Sequence, residues 1–291
     1  MSAYITWHND NTDETQTWLM NGDDIQRRVT AQDERGEPIF VGPPWRLVAA
    51  HKFEFIWHNQ NSNETQIWFM SGNEAVTSPD KIVRRATVRD ENNNPIFVGL
   101  PWSIVGATRL GEPLGASCIV WHNGVTNETQ VWVMNDGDLL DDGERIARRV
   151  TVRDENGNPI FVGPPWHVVG VWLNQIAWHN DDTNETQVWE MDANIERIVR
   201  RVTIQDENGR PIFVGPPWHT VGATDFNRDP LRHRQNAGVV WHNDVSDETQ
   251  IWIRTDDGQR IARRVTALDE IGRPIFVGLP WRIVATANTD A

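Results

Sequence analysis

The sequence predicts an all-β protein, a five-bladed β-propeller of four-stranded antiparallel blades. Three observations lead to this prediction. Five copies of one unit fill the 291 residues, and each contains Trp-His-Asn, Glu-Thr-Gln-x-Trp, Arg-Arg, Pro-Ile-Phe-Val-Gly and Pro-Trp in the same order. No unit shows a helical period, and the 50 to 60 residues of a unit suit four short strands. The chain also begins and ends on different strands of the unit, so its two ends together complete one blade.

The elements follow one another in the same order in every unit, and the third copy shows them well. It opens with an apolar run in which Ile119 and Trp121 point to one side and Val120 to the other, so both faces of this strand must be covered. A polar loop, a β-branched and aromatic segment, an alternating segment and an Asn-Gly turn come next. The chain then returns through Pro-Ile-Phe-Val-Gly, and two prolines interrupt it before the last strand. We expect the strands at residues 118–121, 128–134, 146–153 and 166–170.

The repeats define a single domain over residues 1–291, with units at about 4–52, 53–117, 118–174, 175–237 and 238–287. If the Pro-Trp strand is the first strand of the next blade, the last one, from Trp281, completes the blade that the N-terminal strand begins. Pairing the N- and C-terminal strands then closes the ring and leaves no free edge. A linear β-solenoid is the alternative, but it would need capping units, and the first and last copies are ordinary.

Composition limits the possible partners and compartments. The formal net charge is −14 and the basic residues recur evenly, so a nucleic-acid partner is not expected. No apolar run is long enough for a membrane helix, and no secretion signal is visible at the N-terminus, so we expect no membrane insertion. The single cysteine, Cys118, excludes an internal disulfide and fits either the cytoplasm or a bacterial protein secreted without a visible signal. The oligomeric state stays open.

One stretch carries a resemblance to a known family. The run Trp-His-Thr-Val-Gly-Ala-Thr-Asp-Phe-Asn-Arg-Asp at 218–229, followed by Val-Val-Trp-His-Asn, resembles the FG-GAP/VCBS repeat of integrin-like propellers and of Psathyrella velutina-type propeller lectins. All five units share this framework. The resemblance implies a Ca²⁺ loop, and Asp225, Asn227 and Asp229 match its first three ligand positions. Pro230 and the residues after it replace the Gly and the later acid, so we expect at most a weak Ca²⁺ site and no other cofactor.

The repeated residues favour binding over catalysis, because an enzyme usually assembles one site from unlike residues. We predict a multivalent, lectin-like protein that binds carbohydrate or a glycoconjugate at repeated sites between blades. An indole after a rigid Pro break can stack on a sugar face while nearby histidines hold its hydroxyls. The predicted ligand residues are the Pro-Trp set, Trp45, Trp102, Trp166, Trp218 and Trp281, and the strand-histidine set, His8, His58, His122, His179 and His242. Core packing for the tryptophans and strand bracing for the histidines are the alternatives.

Other interpretations of the same residues remain open. The repeated Glu that begins the second strand and the repeated Arg pair suggest a structural ion-pair ladder, for example Glu14 with Arg27 or Arg28. A protein-interaction scaffold would use the acidic loops of one ring face. An enzyme would need a single site built from unshared residues, which are His51, His167, His219, His233 and Trp172.

Overall fold

The computed structural model confirms the five-bladed β-propeller of four-stranded antiparallel sheets. It describes residues 3–51, 54–71, 81–109, 116–135, 144–224, 238–255 and 257–288. Blade 1 contains β20 (Trp281–Asn288), β1 (Ala3–Asn9), β2 (Thr15–Asn21) and β3 (Asp24–Thr30). Blade 2 contains β4 (Trp45–His51), β5 (Glu54–Asn59), β6 (Thr65–Met70) and β7 (Ile82–Thr87). Blade 3 contains β8 (Trp102–Arg109), β9 (Ser117–Asn123), β10 (Thr129–Met134) and β11 (Ile146–Thr151). Blade 4 contains β12 (Trp166–Trp172), β13 (Gln175–Asn180), β14 (Thr186–Met191) and β15 (Ile198–Thr203), and blade 5 contains β16 (Trp218–Thr224), β17 (Gly238–Asn243), β18 (Thr249–Arg254) and β19 (Ile261–Thr266).

The ring closes as the repeat order predicts. The C-terminal strand β20 pairs antiparallel with the N-terminal strand β1, from Ala3 opposite Asn288 to Asn9 opposite Trp281. The strands that begin with the Pro-Trp tryptophan are therefore the innermost strands, and they contact one another around the axis. A membrane-crossing helix is absent from the part of the chain that the structure describes.

Small residues line the central axis, since five inner strands converge there. The space at the axis is bordered by Val, Ala, Gly and one Thr. At Gly170 a Cβ atom would lie 2.9 Å from the backbone nitrogen of Ala223, which is too close for any larger residue without a shift. The inner strands can therefore approach this closely only with Gly or Ala at these positions.

Tryptophans fill the junctions between blades. In blade 3, Trp121 is 1% exposed and its ring centroid lies 4.7 Å from that of Trp132. Both rings belong to a buried cluster that includes Ile56 and Ile67 of blade 2. This arrangement recurs at every junction and explains why the repeat copies tryptophan so faithfully.

Neighbouring blades are also joined at the rim. The second Arg of each pair stacks over the mid-strand Trp of its own blade, as Arg85 does over Trp68 at 4.5 Å. It also forms an ion pair with a turn acid of the preceding blade, as Arg85 does with Glu34 at 3.2 Å. The first Arg can reach the following blade, as Arg84 does toward Glu144 at 2.8 Å. The predicted ladder between Arg and the Glu that precedes the second strand is not found among the described ion pairs, because Arg84 and Arg85 pair with acids of other blades and Arg200 pairs with Glu190 of its own blade.

A glycine makes room for each hairpin loop. Asn127 adopts a left-handed φ of 61° at the end of the loop between β9 and β10. A Cβ atom on Gly163 would lie 2.1 Å from the Asn127 side-chain oxygen, so only Gly permits this contact. The same Gly and Asn or Asp combination recurs in every blade. The Asn or Asp that precedes the Glu-Thr-Gln-x-Trp motif thus has a structural role.

Candidate functional site

The predicted ligand residues all lie on one face of the ring, which we call the hairpin face. It is formed by the loops between the second and third strands of each blade, counted from the axis, and by the Pro turns that precede the inner strands. In blade 3 these two elements touch, because the Gly124 N–H donates to the Pro101 carbonyl oxygen at 2.8 Å. Other blades repeat the contact, for instance Asp181 with Pro165.

The two predicted sets meet at the junctions between blades. Side chains alternate along a strand, so Trp45 points to the same side of blade 2 as Trp57. The ring of His8, from blade 1, contacts Trp57 edge-on at a centroid distance of 6.1 Å. Each junction therefore holds the strand histidine of one blade and the Pro-Trp tryptophan of the next.

The Pro-Trp tryptophans are partly buried. Each packs against the apolar cluster of its junction, as Trp166 does beside Trp178 and Val168. Each also leaves part of its indole open to solvent. They contribute to the core, and a ligand role for their exposed edges stays a prediction.

The strand histidines brace the sheet. His122 Nδ1 lies 3.0 Å from Thr129 Oγ1, and its ring contacts Trp178 of the next blade at 6.1 Å. The other four histidines repeat both contacts. Burial lowers the pKa of all five, so these imidazoles are neutral near pH 7. The bracing alternative matches this geometry, and a ligand role is untested.

A repeated polar chain explains the Glu-Thr-Gln-x-Trp motif. Glu128 Oε1 accepts hydrogen bonds from Gln130 Nε2 at 2.9 Å and from the Thr151 hydroxyl at 2.7 Å. Gln130 Oε1 in turn accepts from Trp132 Nε1 at 3.1 Å. Oε2 of this Glu has no hydrogen bond within the described ranges, and the other blades repeat the arrangement.

The sequence analysis missed an exposed aromatic set. The Phe of Pro-Ile-Phe-Val-Gly is 59 to 60% exposed in all five blades, and we call Phe40, Phe97, Phe161, Phe213 and Phe276 the exposed-phenylalanine set. Each forms an isolated antiparallel bridge with the motif Glu, as Phe161 does with Glu128. The signal was present, because alternation in Ile-Phe-Val places Phe opposite to the two aliphatic residues.

The four unshared residues that the structure describes lie at two opposite ends of the inner strands. His51 is buried with its Nε2 3.0 Å from Glu54 Oε2, and Ser117 Oγ donates to Glu54 Oε1 at 2.9 Å. His51 and Trp172 lie at the ends of inner strands, whereas His167 and His219 lie at their beginnings, on the hairpin face. His233 lies outside the described residues. The placement gives the enzyme alternative no common centre.

The predicted calcium ligands Asp225, Asn227 and Asp229 lie outside the described residues, so that prediction stands untested. Within the described ranges, no group of three or more His, Cys, Asp or Glu is arranged to hold a metal ion.

Comparisons with known proteins identify only distant folds. No protein-family model matches the chain, and no curated protein matches it either. The fold is similar to that of a luciferin-regenerating enzyme, at 8% identity and a TM-score of 0.42, over 92% of this chain and 77% of that one. It is also similar to regucalcin, a calcium-binding protein from Agrobacterium tumefaciens, at 10% identity and a TM-score of 0.39, over 89% and 68% of the two chains. It is similar as well to the Dos1 propeller, at 8% identity and a TM-score of 0.36, over 90% of this chain and 55% of that one. Such weak likenesses to proteins of varied function do not bear on activity.

Proposed function

We propose that the protein is a multivalent carbohydrate-binding propeller that presents five related sites on its hairpin face. The observation that carries this proposal is the exposed-phenylalanine set. Five equivalent Phe side chains are 59 to 60% exposed, so most of each ring lies outside the core, and the same exposed ring recurs in every blade. A role in contact with a ligand accounts for their repetition.

The chemistry beside each Phe suits a sugar. In the third blade, Phe161 bridges to Glu128, whose Oε2 has no hydrogen bond within the described ranges. An aromatic ring stacks on the apolar C–H face of a pyranose, and a carboxylate oxygen accepts hydrogen bonds from its hydroxyls. From Phe161 the chain continues to Trp166, in the blade junction where His122 contacts Trp178. One member of the Pro-Trp set and one of the strand-histidine set therefore follow this Phe in the same junction. The resemblance to Psathyrella velutina-type lectins supports the same ligand class.

Repetition of the sites raises the overall affinity for a surface that carries many copies of the sugar. A shallow site leaves much of its ligand in solvent, so each site alone binds weakly. Five sites on one face engage a glycan-coated surface together, and linkage raises the overall affinity without any new contact.

The test begins with a glycan array probed with the intact chain, followed by calorimetric titration of the best saccharide. We expect several equivalents per chain. Phe161→Ser should remove about one equivalent and leave the melting temperature nearly unchanged. Val125→Ser is the matched control, because Val125 is 75% exposed on the same face and its position is not apolar in every blade. An array without a hit, or full stoichiometry in Phe161→Ser, would contradict the proposal.

A protein-interaction scaffold is the second candidate. Leu100 and Leu279 are 93% and 89% exposed in the Pro turns of the hairpin face, and a protein partner would cover such side chains. This function is favoured if the glycan array gives no hit and if a protein partner that binds the parent chain no longer binds the variant Leu100→Ser/Leu279→Ser.

A further inference from the structure

Two blades carry a histidine directly after the Pro-Trp tryptophan, a position at which the other three blades have a different residue. The residue after the Pro-Trp tryptophan is His167 in blade 4 and His219 in blade 5, whereas blades 2, 3 and 1 have Arg46, Ser103 and Arg282. His167 lies directly opposite the strand histidine His179 in the sheet register, and the ring centroids are 5.7 Å apart. In blade 5, His219 lies opposite His242 with the same separation of 5.7 Å. The pairing therefore occurs twice with the same geometry.

The polar contacts of each pair engage Nδ1 of both rings. His179 Nδ1 lies 2.9 Å from Thr186 Oγ1, and His167 Nδ1 lies 3.2 Å from Asp181 Oδ2. The corresponding distances in blade 5 are 3.0 Å to Thr249 and 3.1 Å to Asp244. In the described part of the chain, no hydrogen bond involves Nε2 of these four rings. A carboxylate on one ring nitrogen fixes the imidazole orientation and raises the basicity of the other nitrogen, as is usual around metal-binding histidines.

The ring separation is close to what a shared metal ion needs. A Zn–N bond of about 2.0 to 2.1 Å places an imidazole centroid about 3.2 Å from the metal, so two tetrahedral ligands have centroids about 5.2 Å apart. The observed 5.7 Å requires a closure of roughly 0.5 Å, which side-chain rotation can supply. His167 and His219 are 49% and 48% exposed at their side chains, so an ion has access from solvent.

We propose that each cross-strand histidine pair, His167 with His179 and His219 with His242, binds one divalent transition-metal ion of the class that prefers imidazole, such as Zn²⁺ or Cu²⁺. The two Nε2 atoms are the protein ligands, water molecules complete the coordination, and Asp181 or Asp244 orients the exposed ring. These sites differ in place and chemistry from the oxygen-ligand Ca²⁺ loop expected at residues 225–229.

The experiment is calorimetric titration of the intact, metal-free chain with ZnCl₂ in a buffer that does not chelate zinc. We expect two equivalents for the parent chain and one for either His167→Ser or His219→Ser. The double variant should bind neither. Serine is the matched replacement, because blade 3 carries Ser103 at this position and folds in the same way. No saturable Zn²⁺ binding by the parent, or two equivalents remaining in the double variant, would overturn the proposal.

A gain-of-site variant tests the same geometry in the opposite direction. Blade 3 has the strand histidine His122 but has Ser103 opposite it and Gly124 in place of the acid. A Cβ atom at Gly124 would meet no atom closer than 3.8 Å, so an aspartate fits there. Ser103→His/Gly124→Asp should therefore add a third equivalent. If this variant melts like the parent and still binds two equivalents, the pair and its acid do not form the site we propose.

Discussion

Removal of one hydroxyl should show that the repeated polar chain stabilises the fold. Thr151→Val keeps the shape of the side chain and removes the hydrogen bond that the Thr151 hydroxyl donates to Glu128 Oε1 at 2.7 Å. The variant leaves Gln130 and Trp132 in place. It therefore isolates a single link of a motif that is present in every blade.

The expected loss follows from the kind of hydrogen bond and its exposure. A hydrogen bond to a charged group contributes about 1.5 to 3 kcal/mol to stability. Thr151 and Glu128 are both partly exposed, and water can replace part of the interaction, so the lower end of that range applies. We expect a loss of about 1.5 kcal/mol, which lowers the melting temperature by roughly 2 to 3 °C in a chain of this size.

Urea unfolding followed by tryptophan fluorescence measures this loss, and a double-mutant cycle assigns its cause. In a Glu128→Gln background the acceptor is neutral, so Thr151→Val should cost only about 0.5 to 1 kcal/mol. Thr126→Ala is a control, because the Thr126 hydroxyl accepts only a long 3.4 Å hydrogen bond from the Glu128 N–H. A loss below about 0.5 kcal/mol for Thr151→Val, or equal losses in both backgrounds, would refute the reasoning.

Two further predictions concern ring closure and pH. Deletion of residues 281–291 removes β20, which pairs with β1 from Asn9 to Ala3, and should abolish the native cooperative melt. A chain that ends at Asn288 is the control. If the deletion variant melts within a few degrees of the parent, ring closure is dispensable. The five strand histidines have a pKa below the usual 6.5 in the folded state because they are buried, so the unfolded chain binds protons first on acidification. Their contribution to stability is complete above pH 6.5 and is lost as the pH falls below it. Urea midpoints measured from pH 7.5 to 5.5 should therefore decrease, and a constant or rising midpoint would contradict the assigned cause.

The fold was predictable because the same strand pattern recurs in five units, but the exact ends of the strands were not. The third strand of the third copy was expected at 146–153, whereas β11 ends at Thr151. Arg153 instead forms a parallel bridge to Arg197 of the next blade. The last strand of that copy, expected at 166–170, is β12, and it extends to Trp172 because it continues to pair with β13 up to Gln175. Both differences depend on neighbours that local sequence does not reveal.

The candidate site was only partly predictable for the same reason. The sequence analysis assigned the Pro-Trp and strand-histidine sets to sites between blades, and in the structure His8 contacts Trp57, which lies on the same side of blade 2 as Trp45. The partners of the Arg pairs were not predictable, since Arg85 and Glu34 are 51 residues apart and belong to different blades. The alternation in Ile-Phe-Val did indicate that Phe161 points away from the core, but local sequence did not show that this segment makes only isolated bridges and leaves the ring uncovered.

Repetition alone does not separate structural from functional residues in this ring. Most repeated polar side chains have a partner that the fold itself supplies, as Gln130 has Trp132 and His122 has Thr129. Two kinds of residue go beyond this structural role: the repeated phenylalanines, which the fold leaves exposed, and the histidines His167 and His219, which depart from the repeat and place a second imidazole beside a strand histidine. A five-fold set without a structural role points to a contact made five times, whereas a residue pair present in only two blades points to a contact made twice. The expected stoichiometries, several saccharides but two zinc ions per chain, follow directly from these two patterns.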